Sequence, residues 1–150
     1  MNRLKKALVL LLSLCLLMAM TACGGGEKTM SKEEYEDAVT KLGEDFTAIQ
    51  NEAAGLDMSD VDGAVKLLED AKTPLQDFIA LTPPDDYANA HAKLSSGSQA
   101  MVDYIDIVIA MVNETDMDKI QEQAQQMLEY IQTATQDLTE GAALLEEAAG

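Results

Sequence analysis

The sequence predicts an all-α protein, an up-down-up-down four-helix bundle that follows a cleavable leader. Three observations predict it. Apolar residues recur at alternating steps of three and four through four segments. Capping and breaking residues stand between those segments. The composition is rich in Ala, Leu, Ile, Val and Met, with no Trp and 4% aromatics, which favours helices over sheets.

The first helix is announced by Ser31-Lys32-Glu33-Glu34, which has the spacing of a capping box. Tyr35, Val39, Leu42, Phe46, Ile49, Ala53 and Leu56 then form one stripe, and Gly55 ends it. Ser59 or Asp60 caps the second helix, with Val61, Ala64, Leu68, Ala71, Leu75 and Phe78 inward. Pro74 should kink that helix, and Pro83-Pro84 stops it. Asp85 or Asp86 starts the third, with Tyr87, His91, Leu94, Ser98, Met101, Ile105, Val108 and Val112 on its stripe. After the turn Asn113–Thr115, the fourth carries Ile120, Ala124, Met127, Ile131, Ala134, Leu138 and Leu145. Helices of similar length joined by short loops run antiparallel to their neighbours, which makes the bundle the simplest packing; a pair of extended helical hairpins is the alternative. The chain start, the Pro83-Pro84 loop and the C-terminus then share one end, and Gly55–Ser59 and Asn113–Thr115 form the far tip.

Ahead of these segments, Arg3, Lys5 and Lys6 precede an apolar run from Ala7 to Met20 broken only by Ser13. A charged stretch followed by a run this short is the layout of an export signal rather than of a spanning helix. The run ends in Met20-Thr21-Ala22-Cys23, followed by Gly24-Gly25-Gly26. This resembles the lipobox of bacterial lipoproteins, with Met20 where the family favours Leu. The resemblance covers the first 26 residues and implies cleavage before Cys23, a diacylglyceryl group on that cysteine, and anchoring at the extracytoplasmic face of the cell membrane. Each buried CH₂ of such a lipid contributes roughly 0.8 kcal/mol, so two chains hold firmly where one does not. The organisation is then signal peptide 1–22, lipidated cysteine and tether 23–30, and bundle 31–150. Cys15 leaves with the leader, so no internal disulfide is expected. The stretch from Pro83-Pro84-Asp85-Asp86-Tyr87 through His91 and Leu94 also looks like segments of small helical lipoproteins of the uncharacterised Gram-positive type, which supports fold and class but implies no activity.

The charge bounds the partners. The chain holds 10 basic and 27 acidic residues, a formal net charge of −17, and residues 23–150 hold 7 basic and 27 acidic residues. A domain this acidic is repelled by nucleic-acid phosphates and anionic headgroups, whereas cations and basic protein surfaces suit it. No enzyme is expected, because no nucleophile–base motif, phosphate-cradling Gly loop or zinc spacing occurs. No cofactor is expected either.

Three constellations remain. Asp57, Asp60, Asp62, Asp116 and Asp118 gather at the far tip as a candidate cation or partner site, although acids in first helical turns also serve as caps. Met58 to Glu69 partly has the spacing of an EF-hand loop, but Met58 replaces the first acid and the segment reads as helix. Ser95-Ser96-Gly97-Ser98 places four poor helix formers inside the third helix. With His91 and Gln76 one turn away, Ser95 and Ser98 could line a small-ligand pocket; close helix packing through small residues is the other reading. The leading functional expectation is a membrane-anchored module that binds or scaffolds a cell-envelope partner, and the alternative is an extracytoplasmic binder of a small ligand or cation.

Overall fold

The structure is a computed structural model, and it describes residues 29–57 and 60–150. The leader, Cys23 and most of the tether lie outside the described residues, as do Met58 and Ser59. Four α-helices make up the described chain: α1 Lys32–Gly55, α2 Val61–Ile79, α3 Ala88–Met111 and α4 Met117–Ala149. A single 3₁₀ turn, Asp85–Tyr87, leads into α3. The fold is an all-α bundle, and among the described residues no helix is long and apolar enough to cross a membrane.

The caps explain where the helices begin. Ser31 Oγ accepts from the Glu34 amide at 3.2 Å while the Ser31 amide donates to Glu34 Oε2 at 2.8 Å, a complete capping box. Asp60 takes the Gly63 amide at 2.9 Å and Asp116 takes the Asp118 amide at 3.0 Å. α2 runs through Pro74 as one helix. The 3₁₀ turn that begins at Asp85, after Pro84, supplies the entry to α3, in line with a start at Asp85 or Asp86, and Asp86 pairs with Lys32 at 2.6 Å.

The close helix pairs are α1 with α2, α2 with α3 and, most extensively, α3 with α4. α3 is therefore the central element, buried on two flanks: Ala90, Leu94, Gly97, Ser98, Ala100, Val102 and Ile105 are all inside. Its seam with α4 is built from reciprocal seats. Gly97 receives Leu138 and Gly141 receives Leu94, so residue numbers rise along one helix as they fall along the other. A Cβ on Gly97 would lie 2.7 Å from Leu138 Cγ and 3.0 Å from its backbone N; on Gly141 it would lie 2.7 and 2.9 Å from the same atoms of Leu94. Gly97 is thus a contact point between helices, which is the close-packing reading of the Ser95–Ser98 stretch. Lys93 bridges the same seam to Asp137 at 3.0 Å and Glu140 at 2.7 Å, and Ser96 donates to Asp137 at 2.6 Å.

The core divides into two clusters stacked along the bundle. At the end where α1 begins, Tyr35, Phe78, Tyr87 and Leu94 pack with Val39, Leu42, Leu81, Leu138, Leu145 and Ala148, so all four helices contribute. The Met30 amide donates to the Thr82 carbonyl at 3.1 Å and ties the chain entry to the α2–α3 loop there. Toward the far tip, Ala71, Leu75, Val102 and Ile105 pack with Phe46, Ile49, Leu68, Met101, Tyr104 and Ile109, and α4 contributes nothing.

That asymmetry corrects the stripe expected for α4. The stripe places Ala124 and Ile131 inward, yet both are exposed; the covered positions are Ile120, Gln123, Met127, Tyr130 and Ala134. In this half α4 rests on α3 alone, so only one flank of its apolar surface is covered. Val112 and Val61, expected on inward stripes, are likewise exposed at helix ends.

Candidate functional site

Four consecutive residues on a helix are rotated about 100° apart, so Ser95 to Ser98 point four ways. Ser95 Oγ lies 3.1 Å from His91 Nε2, Ser96 bonds Asp137 on α4, Gly97 seats Leu138, and Ser98 sits at the middle of the bundle. The expected polar pocket is therefore not one site. Gln76 is exposed, and Pro74 lines a different, smaller groove between α1 and α2. Thr40 on α1 is exposed and donates to the Glu36 carbonyl at 2.9 Å.

His91 belongs to the aromatic cluster. Its Nδ1 is 3.0 Å from the Tyr35 hydroxyl, and its ring meets Tyr35 edge-on at 5.6 Å and Phe78 at 5.1 Å. Tyr35 also stacks on Tyr87 at 5.3 Å, and the Tyr87 hydroxyl donates to the Glu36 carboxylate. Both ring nitrogens thus face hydroxyls, which donate or accept to suit a neutral imidazole. Burial pushes the His91 pKa below its usual value, more strongly than the Ile79 and Leu81 carbonyls raise it. Burial pushes Tyr35 up to about 12.

The sign of the pH dependence follows. An unfolded histidine takes a proton near pH 6.5, whereas folded His91 resists it until lower pH. Its contribution to stability is complete above about pH 6.5 and is lost as pH falls through that value toward the folded pKa. Thermal melting between about pH 7.5 and pH 5 should show a larger loss in the natural chain than in His91→Gln. Equal losses would mean that His91 is as readily charged in the fold as outside it. At the alkaline end, the unfolded Tyr35 ionises first, so stability falls as pH rises from about 10 toward about 12.

Ser98 marks a separate site. It lines a cleft of about 330 Å³ with Val39, Leu42, Gly43 and Phe46 of α1, Leu75 of α2, Met101 of α3 and Leu138 of α4. Ser98 is 0% exposed, and its hydroxyl has no hydrogen-bond partner among the described residues. That departs from this protein's habit: Thr40, Thr47, Thr135 and Thr139 each donate to the carbonyl four residues earlier. A buried hydroxyl left unpaired costs about 1–3 kcal/mol. The stripe pattern marks Val39, Leu42, Phe46, Leu75, Met101 and Leu138 as core, and of the lining residues only Ser98 also reads as a pocket candidate in the sequence. The signal for a cleft was Gly43, a small residue one step beyond Leu42 in an otherwise large-sided α1 face.

The tip carboxylates have local duties. Asp60 and Asp116 cap α2 and α4, and Glu114 Oε1 accepts the Thr115 and Asp116 amides at 2.9 Å each. Those two amides hold the Glu114 pKa below the usual carboxylate value. Asp57, Asp62 and Asp118 stand exposed nearby. Val61 to Glu69 is helix, so the EF-hand-like spacing does not form a loop there. Among the described residues no group of three or more His, Cys, Asp or Glu is placed to hold a metal ion.

A second exposed feature lies on α4. Met117, Ala124, Leu128 and Ile131 follow one another at helical spacing on its open flank, with Met117 75%, Leu128 62% and Ile131 44% exposed. Asp118, Glu122 and Glu129 are exposed on the same half of the helix. Comparison with protein-family models, curated proteins and solved structures gives no match for this chain.

Proposed function

We propose that this chain is an extracytoplasmic lipoprotein whose up-down-up-down bundle docks a cell-envelope protein. In this reading residues 1–22 are removed and lipid on Cys23 holds the domain at the outer face of the membrane. Met30 is seven residues beyond Cys23, so the aromatic end of the bundle stays within about 25 Å of the anchor even with the tether extended. The tip half of α4 faces away from that anchor and is free to meet a partner.

The observation that carries the docking reading is the open apolar flank Met117, Ala124, Leu128 and Ile131. Such a row on a helix face that has room for another element marks an interaction surface more often than scattered exposed residues do. The excess of 27 acids over 7 bases in residues 23–150 disfavours a second copy and favours a partner with an apolar ridge and a basic rim.

The anchor and the docking face are tested separately. Cys23→Ala should release the domain into the soluble fraction or stall its processing, since the lipid carries the membrane affinity. Firm membrane retention of a cleaved Cys23→Ala protein would refute the anchor. For the docking face, a photoreactive residue at Ile131 in intact cells should capture a basic envelope protein that Leu128→Asp abolishes. The same residue at Gln50, exposed on α1, should not capture it. Equal capture from both positions would remove α4 as the docking face.

A further inference from the structure

Beyond partner docking, we infer that the cleft between α1 and α4 binds a neutral, mostly apolar small molecule through one hydrogen-bonding head seated on Ser98. Its volume of about 330 Å³ falls at the lower end of the range for small-molecule sites. A dry cavity of about 150 Å³ accommodates benzene, so this one suits about a dozen non-hydrogen atoms. It is too small for a helix of a protein partner.

The lining defines the chemistry. Val39, Leu42, Phe46, Leu75, Met101 and Leu138 offer hydrocarbon, a phenyl ring and a thioether, and no charged side chain lines the cleft. A charged ligand would lose its hydration with nothing to replace it. The Met101 thioether adapts its shape to an irregular guest. The Ser98 hydroxyl is buried and unpartnered, and a ligand hydroxyl, ketone or phenol oxygen would satisfy it. The mouth is kept open by Gly43, where an added Cβ would meet nothing within 4 Å.

The test uses the full chain in phospholipid vesicles, labelled by a diazirine-bearing analogue of 4-pentylphenol. Unlabelled 4-pentylphenol and pentylbenzene compete, and labelled peptides are mapped by mass spectrometry. Label should concentrate on the α1 peptide around Leu42 to Phe46 and on that containing Met101, with the phenol protecting at lower concentration than the hydrocarbon. Ser98→Ala should weaken protection by the phenol roughly three- to tenfold and leave pentylbenzene unchanged. Gly43→Leu, whose Cβ would meet nothing within 4 Å and whose longer side chain fills the mouth, should abolish the protectable label for both. Circular dichroism melting checks that each variant is folded. Label spread evenly over the surface, or a phenol-to-hydrocarbon preference that survives Ser98→Ala, would overturn the inference.

Discussion

Tyr35→Ala should destabilise the protein by about 3–5 kcal/mol, the range for emptying a fully buried aromatic site. Tyr35 is 0% exposed and joins elements distant in sequence: it stacks on Tyr87, tilts against Phe78 and hydrogen-bonds His91. Its removal leaves the first turn of α1 with no large side chain in the cluster that draws on all four helices. Tyr35→Phe separates packing from hydrogen bonding. It keeps the ring and orphans His91 Nδ1, so about 1–3 kcal/mol should be lost. In a cycle with His91→Phe, the second substitution should recover part of that loss, because no unpaired nitrogen remains. Urea unfolding followed by helical circular dichroism gives these values. A Tyr35→Ala loss below about 1 kcal/mol would mean that the aromatic end is not a packed core.

Gly97→Ala should also destabilise, by about 1–3 kcal/mol, although an exposed helical glycine replaced by alanine ordinarily stabilises by about 0.5–1 kcal/mol. The difference is the seat for Leu138. The new methyl would press on Leu138 Cγ and its backbone nitrogen, neither of which is the free end of a flexible side chain. Gly141→Ala meets Leu94 in the same way and should cost a similar amount. The two seats are one helical turn apart on the same seam, so the double substitution should depart from additivity: once α4 has moved outward to admit one methyl, the second costs less. Gly43→Ala supplies the control. Its Cβ is unopposed, and it should gain stability. If Gly97→Ala behaved like Gly43→Ala, α3 and α4 would stand farther apart than the reciprocal seats require.

Local chemistry made most of the fold legible. Ser31, Asp60 and Asp116 mark helix starts because an orphan amide needs an acceptor within a few residues, and both lie in one short stretch of sequence. The α1 and α3 stripes were readable because each helix has a core on the expected face. The α4 stripe differs from the structure at Ala124 and Ile131 because periodicity fixes which residues share a face, but not how many neighbours cover it. The Tyr35–His91 bond joins positions 56 apart, and no short-range pattern encodes it. The same limit applies to the cleft. Leu42, Leu75 and Leu138 look like ordinary core residues, and only their three-dimensional spacing around Ser98 leaves room between them.

The aromatic end also makes the molecule its own instrument. The chain has no tryptophan and four tyrosines, two of which are stacked in that cluster. The stacked tyrosine pair contributes to near-ultraviolet circular dichroism, as Tyr104 of the other cluster and the half-buried Tyr130 do, whereas the far-ultraviolet signal sums over all four helices. With Tyr104 and Tyr130 replaced by Phe, one wavelength reads the end where α1 enters and the other reads the whole length. Coincident transitions would identify a single cooperative unit, and an earlier loss at either wavelength would date the uncoupling of one end from the other, with no label attached.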